Sequence, residues 1–253
     1  MSAPAPSRVE VLGVPVDVLT RAELMPRVAA LFDLGRPATV GYVNVHVLDQ
    51  CARHPDLVVF LRGLDLCYCD GKGVILAARI LGQQLPERMT GADWIEDLAA
   101  FAEGRWRIAW IGGEAGVAAE AARVLTVRHP RLQIVPFHGF HPKEGPGNQA
   151  LLDAVNATQA DLVLVGMGTP LQERWVAANR ARLQAPVVWC LGATADFVAG
   201  TVPRGPRWLV VRQEWVARLL ADPRRLWRRY LLGNTRVMGR ALAAATRRRL
   251  QAR

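Results

Sequence analysis

Residues 161–183 read DLVLVGMGTPLQERWVAANRARL and contain a short apolar run, a glycine turn and a longer amphipathic segment, in that order. The run Asp161–Val165 has the length and apolar character of a buried strand. The segment Gln172–Leu183 carries apolar residues at helical spacing and follows Pro170, which favours a helix start. A buried strand followed by a tight turn and a helix is the repeating unit of proteins built on a parallel sheet.

The same unit recurs along most of the chain. Helix-like segments separate most of the apolar runs, and Ala115–Arg128 is the clearest of them. We therefore predict an α/β fold, a Rossmann-like parallel sheet with helices on both faces. The opening stretch Val9–Thr20 is expected to form a small hairpin at the sheet edge. The other five predicted strands are Thr39–Val43, Leu66–Cys69, Arg107–Ile111, Gln133–Pro136 and Val187–Leu191.

Charge divides the chain into two parts. Residues 1–200 hold eighteen basic and twenty acidic residues, whereas residues 201–253 hold fourteen Arg against only Glu214 and Asp222. We therefore predict an α/β domain over residues 1–200 and a basic helical C-terminal appendage over residues 201–253. A net charge of +10 that is confined to one end of the chain indicates a local anionic partner: phospholipid, phosphate or nucleic acid.

The pattern within the appendage favours a lipid surface. Between Gln213 and Tyr230 apolar residues recur at helical spacing and Arg fills the positions between them, as in a basic helix that lies on an anionic membrane. A nucleic-acid-binding protein would carry its basic residues on the body, so we predict no nucleic acid partner. The N-terminus has no secretory signal and no apolar run is long enough to span a bilayer, so we expect a cytoplasmic protein, peripheral on the inner face of the cell membrane. The four cysteines are expected to be buried, reduced thiols.

Polar residues and glycines follow nearly every predicted strand. In open α/β sheets, ligands bind beyond the carboxyl ends of the strands, and glycine turns there let the backbone approach a phosphate closely. Each single turn is explained as well by the demands of a tight βα connection. Five such turns in one sheet favour a nucleotide-binding crevice. The residues concerned are Asn44, Asp70, Gly71, Gly112, Gly113, Gly139, Gly166, Gly168 and Gly192.

Four side chains at these strand ends could take part in chemistry, and each has a plain structural alternative. Asp70 could be a general base or only a helix N-cap. The amide of Gln172 could reach a sugar hydroxyl, while its neighbour Glu173 suits a helix N-terminus. Asp196 could accept a hydrogen bond from a nucleoside or cap its own turn. Arg88 could hold a diphosphate or be a solvated surface residue.

Several chemistries are not indicated by the sequence. His138 and His141 lack a third ligand at a recognisable spacing, and the DxD pair that often holds a metal–nucleotide complex is missing, so we predict no metal site. No GxxxxGK[ST], no GxSxG and no clean GxGxxG is present. A Rossmann-type oxidoreductase would need the last of these after the first strand of a βαβ unit.

Taken together, these motifs resemble the WecG/TagA/CpsF glycosyltransferase family over about residues 9–232. The resemblance rests on Val43-Asn44, on Asp70-Gly71-Lys72-Gly73, on Arg88 with Gly91, on Ile111-Gly112-Gly113 and on Gly139-Phe140. It rests above all on three long runs in the same order, VGMGTPLQERW, LGATADFVAGTVPRGP and QEWVARLLADPRRLWRRY.

The resemblance implies an inverting, metal-independent enzyme without a cofactor, which acts in the synthesis of a bacterial surface polysaccharide or cell-wall polymer. Its donor would be a UDP-linked hexose, either N-acetylmannosamine, its uronic acid or glucose. Its acceptor would be a polyprenyl-diphosphate-linked sugar at the cytoplasmic face of the membrane. The exact sugar and acceptor stay open, as does the oligomeric state, for which a homo-oligomer is one option.

The resemblance also implies roles for individual residues. Asp70 would be the general base, and Asp196 would contact the nucleoside end of the donor. Many members have Thr where this chain has Tyr42, which weakens any transfer of sugar specificity from them. The substrate pocket would be lined by Asn44, Tyr42, Gly71, Arg88, Gly112, Gly113, Gly139, Phe140, Gly168 and Gln172. The acceptor or the leaving diphosphate would be bound by Arg218, Arg224, Arg225 and Arg228 of the appendage.

Overall fold

The computed structural model describes residues 7–202 and 231–251, and its centre is a six-stranded sheet in which all neighbouring strands are parallel. The strands are β1 Arg8–Val11, β2 Val14–Asp17, β3 Ala38–Val43, β4 Leu66–Cys69, β5 Arg107–Gly112, β6 Gln133–Phe137, β7 Leu162–Gly166 and β8 Val187–Cys190. The order across the large sheet is β4-β3-β8-β7-β5-β6, while β1 and β2 form a separate antiparallel hairpin. The predicted α/β fold is thus confirmed, and each predicted sheet strand is present to within a residue or two at its ends.

Helices connect the strands, as predicted. They are α1 Arg21–Leu31, α2 Val45–Cys51, α3 Pro55–Arg62, α4 Lys72–Ile80, α5 Gly91–Ala102, α6 Val117–Arg128, α7 Gly145–Ala157, α8 Leu171–Asn179, α9 Thr194–Val198 and α10 Gly233–Gln251. The helix predicted over Gln172–Leu183 ends earlier, at Asn179, because a 3₁₀ turn at Arg180–Arg182 follows it. Local signals explain several starts: Asn44 caps α2, and Thr90 with Asp93 forms a capping box on α5.

The core lies on both faces of the sheet. Along β5, Ile108 and Trp110 pack into one cluster, whereas Ala109 and Ile111 pack into the other. Strands β7 and β8 alternate in the same way, as side chains of a strand point to opposite faces in turn. Because both faces are covered, these strands read as continuous apolar runs rather than as alternating ones, which is why they could be identified from the sequence.

The N-terminal hairpin lies beside the β4 edge of the sheet, as predicted. It ends at Asp17, whose carboxylate accepts a hydrogen bond of 2.6 Å from the Cys67 backbone amide and one of 2.8 Å from the Arg8 guanidinium. Burial raises the pKa of Asp17 above its ordinary value, against the effect of these hydrogen bonds. The Asp17 carboxylate therefore accepts the Cys67 amide hydrogen at the sheet edge, where a further strand would otherwise pair.

The C-terminal helix α10 packs against α2 and α4, and its Val237 and Ala241 are fully buried. Arg236 donates two hydrogen bonds, of 2.8 and 2.7 Å, to the carboxylate of Asp49 in α2. A helix at the basic end of the chain is thereby confirmed. The predicted division at residue 200 stays a prediction, and Arg218, Arg224, Arg225 and Arg228 lie outside the described residues.

Two further features of the described residues concern the membrane and the thiols. No helix within residues 7–202 or 231–251 combines the length and the apolar character that crossing a bilayer requires. All four cysteines are free and buried, as predicted. Burial raises the pKa of Cys51 to about 12, so this thiol is not primed for reaction.

Candidate active site

The path of the chain through the sheet creates a crevice at its centre. From β3 the chain moves outward to β4, then crosses to β5 in the other half of the sheet and returns through β7 to β8, beside β3. The helix after β3, α2, packs on α3 and α10, whereas the helix after β8, α9, packs on α5 and α6. The chain thus leaves the carboxyl ends of these neighbouring strands in different directions. Such a switch point is where open α/β sheets bind their ligands.

Asn44 and Asp70 meet at this point, at the ends of β3 and β4. The Asn44 side-chain oxygen accepts a hydrogen bond of 2.9 Å from the Val47 amide and so caps α2. This bond orients the amide nitrogen towards Asp70, to whose Oδ2 it donates at 3.0 Å. The Asp70 backbone amide also bonds to the Val43 carbonyl at 2.8 Å, which extends the strand pairing to Asp70. A carboxylate at the rim of the crevice is thus held in a defined orientation.

The alternative interpretation of Asp70 as a helix N-cap is wrong. Helix α4 begins at Lys72, and its N-cap is Gly71, which has a φ of 111° that other residues rarely adopt. Asp70 precedes the cap by one residue. Its side chain is therefore not required to start the helix, and its contact with Asn44 needs another explanation.

Arg88 lies close to the same edge of the sheet. The segment before α5 runs past the end of β4, since the Met89 amide donates to the Cys69 carbonyl at 2.8 Å. The Arg88 guanidinium is half-buried and bonds to the Asp93 carboxylate at 3.0 Å, which fixes its direction. The Arg88 cation therefore directly precedes Met89, whose backbone is bonded to β4. Only β3 lies between β4 and β8 in the sheet.

Asp196 lies beyond the end of β8, in the first turn of α9. The starts of α5 and α9 touch: a Cβ on Gly91 would lie 2.1 Å from the Thr194 hydroxyl oxygen. Only glycine fits at position 91, and this close approach brings the segment with Arg88 next to the helix with Asp196. The Asp196 carbonyl accepts the Thr201 amide at 3.0 Å, which closes the turn after α9.

Glycines form the floor of the crevice over the other strands. A Cβ on Gly166 would lie 2.4 Å from the Gly192 carbonyl oxygen, and one on Gly139 would lie 3.2 Å from the backbone nitrogen of Gly113. Backbone thus packs on backbone across the ends of β5, β7 and β8, and Gly112 pairs with Gly166. Beside this floor the ring of Phe140 is 72% exposed. Gly168, with a φ of 79°, is exposed at the start of α8.

Gln172 lies beneath the crevice rather than on its wall, and its side chain is completely buried. Its Oε1 accepts the Gly192 amide at 3.0 Å, and its Nε2 donates to Glu173 Oε1 at 2.8 Å and approaches the Tyr42 hydroxyl at 3.4 Å. In this arrangement its contacts are with the protein. The predicted contact between Gln172 and a sugar stays a prediction, and any effect on a ligand would pass through Gly192 or Tyr42.

The burial of Glu173 is the feature that sequence reasoning missed, because a first-turn glutamate suits a helix N-terminus whether it is buried or exposed. Its exposure is only 3%. Helical spacing contains the signal, since Gln172, Trp175, Val176 and Asn179 follow the i, i+3, i+4, i+7 pattern of a buried face and Glu173 adjoins it. Within the described residues, no group of three or more His, Cys, Asp and Glu side chains is arranged to hold a metal ion.

A parallel α/β sheet with a glycine floor and a fixed carboxylate at its switch point is the architecture of the open α/β class of proteins, whose ligands bind beyond the carboxyl ends of the strands. Within that class, the chain belongs to the glycosyl transferase WecG/TagA/CpsF family, whose model matches residues 9–251. The match includes both the strand ends described above and α10. The resemblance inferred from the sequence motifs is thereby confirmed.

Relatives of known name include proteins of Staphylococcus aureus. The proteins of strains NCTC 8325 / PS 47, COL and N315 are each named N-acetylglucosaminyldiphosphoundecaprenol N-acetyl-beta-D-mannosaminyltransferase. Each is 24% identical to this chain over 228 residues, which is 88% of this chain and 88% of the relative. The similarity therefore extends over nearly the whole length of both proteins.

Proposed function

We propose that this glycosyltransferase moves a sugar from a UDP-sugar to a polyprenyl-diphosphate-linked sugar, with inversion at the anomeric carbon and without a metal ion. Asp70 takes the proton from the acceptor hydroxyl, the freed oxygen attacks the anomeric carbon, and UDP leaves from the opposite face. Direct displacement of this kind needs one base, which a single carboxylate supplies.

The hydrogen bond between Asn44 and Asp70 is the observation that carries this proposal. The N-cap of α4 is Gly71 and not Asp70. The Asp70 carboxylate is oriented by the Asn44 amide, which is itself held by its bond to the start of α2. Pre-orientation of a general base is what proton transfer in a transition state requires. Because both residues follow neighbouring parallel strands, the pair stands on the rigid part of the fold.

The leaving UDP needs positive charge or amide donors when no metal is used. Arg88 is the candidate in the body of the protein, since Asp93 holds its guanidinium beside the crevice. The turns over the glycine floor are candidates for backbone contacts with the donor, and Asp196 for the nucleoside end. The appendage residues Arg218, Arg224, Arg225 and Arg228 are proposed to bind the acceptor or the leaving diphosphate.

N-acetylmannosamine is the first donor sugar to test, and a lipid-diphosphate-linked N-acetylglucosamine is the first acceptor. The support is the printed name of the Staphylococcus aureus relatives, at 24% identity. Tyr42 stands two residues before Asn44, close to Gln172, and bears on the choice of sugar. The uronic acid and glucose are the other members of the donor panel, because the sequence resemblance allows them.

The experiment is a transfer assay with this donor panel and a short-chain lipid-diphosphate acceptor, run with excess EDTA. We expect saturable turnover of one UDP-sugar and no loss of rate in EDTA. The expectation rests on the sequence, which has no DxD. Complete loss of activity that Mg²⁺ restores would exclude the metal-independent mechanism.

The variant Asp70→Asn tests the base directly. It keeps the shape of the side chain and removes the proton acceptor, so kcat should fall by about 10²–10⁴-fold while the affinity for UDP changes little. Asp153→Asn, the same change on the exposed surface of α7, is the matched control and should leave kcat unaltered. Normal turnover by a folded Asp70→Asn protein would mean that another group acts as the base.

A further inference from the structure

Glu173 is an acid in an unusual place. It lies in the first turn of α8 with an exposure of 3%, on the side of the sheet that also holds the buried Cys190. Its Oε1 accepts two hydrogen bonds of 2.8 Å, from Gln172 Nε2 and from the Thr169 hydroxyl. Its Oε2 is buried and has no hydrogen-bond partner within residues 7–202 and 231–251.

This burial is costly, and the helix dipole alone does not require it. Desolvation raises the pKa of Glu173 in spite of the hydrogen bonds from Gln172 and Thr169, which act in the opposite direction. A first-turn glutamate gains the same attraction to the helix N-terminus when it faces water. The burial of Glu173 is therefore explained better by the hydrogen bonds that its Oε1 accepts.

Oε1 of Glu173 accepts a hydrogen bond from the side-chain amide of Gln172. This amide has a donor end, the NH₂ group, and an acceptor end, the carbonyl oxygen. The two ends are nearly equal in shape, so a neighbouring acceptor or donor decides which way the group faces. Glu173 Oε1 can only accept from the Gln172 side chain, which turns the NH₂ end towards it. The carbonyl end then faces the Gly192 backbone amide and accepts from it at 3.0 Å.

Gly192 is the second residue after β8 and lies in the turn into α9, the helix that contains Asp196. Its φ of 62° and its closeness to Tyr42 leave the turn little freedom, since a Cβ on Gly192 would lie 2.6 Å from the Tyr42 hydroxyl oxygen. The bond to Gln172 thus fixes the backbone that leads into α9 and to Asp196. If Gln172 turned over, its NH₂ group would face the Gly192 amide, donor against donor.

We propose that Glu173 is a positioning residue of the donor site: it fixes the orientation of the Gln172 amide, which in turn holds the Gly192 turn and with it Asp196. The inference rests on the proposed function, in which Asp196 contacts the nucleoside end of the donor. Glu173 itself touches no substrate. Loss of the Glu173 side chain should therefore weaken binding of the donor and leave the rate of the chemical step nearly unchanged.

Glu173→Met and Glu173→Gln distinguish this role from simple stability. Met fills the same volume without an acceptor and removes the cost of a buried acid, so the protein should fold with an unchanged or higher Tm. The KM for the UDP-sugar should nevertheless rise about 10-fold, with kcat within about 3-fold, as expected for one lost hydrogen bond in a positioning chain. Gln keeps an acceptor oxygen for Gln172 and should restore the KM to within about 2-fold of the parent.

Two controls complete the design. Asn148→Leu makes a comparable change at another buried polar residue, in α7, which bonds to Trp175 and Asn179 instead, and should leave the donor KM unchanged. Glu173→Met added to Gln172→Met should cause no further rise in KM, because Glu173 acts through Gln172. Equal KM values in Glu173→Met and the parent would overturn the proposal, as would a full second effect in the double variant.

Hydrogen exchange at the Gly192 amide gives a readout that needs no activity. It should be faster in Glu173→Met than in the parent and normal in Glu173→Gln. If the parent transfers no sugar, the proposed function fails while this exchange still decides the role of Glu173. If the parent is active and the exchange is equal in all variants, the role of Glu173 is refuted and the proposed function stands.

Discussion

At the scale of single residues, the candidate site depends on side chains with two simultaneous bonds. The side-chain oxygen of Asn44 caps α2, and its nitrogen donates a hydrogen bond to Asp70. The side chain of Gln172 accepts a hydrogen bond from the Gly192 amide and donates one to Glu173. Local motifs were enough to select Asn44, Asp70 and Gln172 from the sequence. They could not predict these pairings, because residues 26 or 20 positions apart meet only through the order of the strands.

His141 gives a prediction at this scale. Burial, with a smaller contribution from Lys143, lowers its pKa to about 4 from an ordinary 6.5. Between these values the unfolded chain takes up a proton that the folded chain does not, so stability is lost as the pH falls from about 6.5 to about 4. His141→Phe keeps the edge-on contact with Trp175 and should abolish this share of the loss, about 1 kcal/mol at pH 5 after allowance for solvent screening.

The measurement is urea unfolding of parent and variant at about pH 7.5 and pH 5. Val127→Phe, which places a phenylalanine on the exposed face of α6 and leaves every histidine in place, is the control and should keep the pH dependence of the parent. A His141→Phe protein that loses as much stability on acidification as the parent would mean that the histidine titrates normally in the fold.

At the scale of elements, α10 connects the end of the chain to the site. It packs on α2 and α4, the two helices that begin directly after Asn44 and Gly71. Besides the pair between Arg236 and Asp49, the Arg240 guanidinium donates to the Leu48 carbonyl of α2 at 2.9 Å. The charge pattern of the sequence predicted a basic helix here, but not its docking, because an Arg-rich segment is expected to face solvent.

The bidentate pair predicts how firmly α10 is held. Arg236→Met keeps the aliphatic stem and removes both bonds to Asp49, so the urea midpoint of unfolding should fall slightly and chymotrypsin should cleave α10 faster. The modest size follows from the exposure of the Arg236 side chain, 47%. Arg247→Met, an exposed position on the same helix, serves as the control. Equal cleavage and equal stability in all three proteins would show that apolar contacts alone dock the helix.

At the scale of the whole molecule, a body of nearly balanced charge is joined to a strongly basic end. The sequence alone predicted the sheet, the hairpin and this asymmetry, because buried parallel strands and charge clusters are local signals. Strand order and the meeting of α5 with α9 are long-range outcomes of packing, and local patterns do not contain them. The family match over residues 9–251 covers both the body and α10.

The basic end predicts reversible binding to anionic vesicles. Full-length protein should bind vesicles of phosphatidylglycerol and phosphatidylcholine at low salt, and the binding should weaken by at least about 10-fold between about 0.05 and 0.5 M salt as the charges are screened. Glutamine at Arg224, Arg225, Arg228 and Arg229 should remove most of the binding, measured by co-sedimentation.

Glutamine at Arg79, Arg105, Arg123 and Arg131, all exposed on the body, removes the same charge and should have little effect. Equal losses in the two variants would mean that net charge, and not the appendage, attracts the protein to lipid. A full-length protein that ignores anionic vesicles at low salt would refute the membrane contact altogether.

The two margins of the sheet have a consequence for self-association. At one margin Asp17 occupies the outward amide of Cys67; at the other, β6 contains Pro136, which has no N–H to offer. A strand from another molecule that paired with β4 would meet the Asp17 carboxylate at the Cys67 amide. One that paired with β6 would lack a hydrogen-bond donor at Pro136. Both margins of the sheet thus disfavour pairing with a second copy, and with it the edge-to-edge stacking that turns open sheets into fibres.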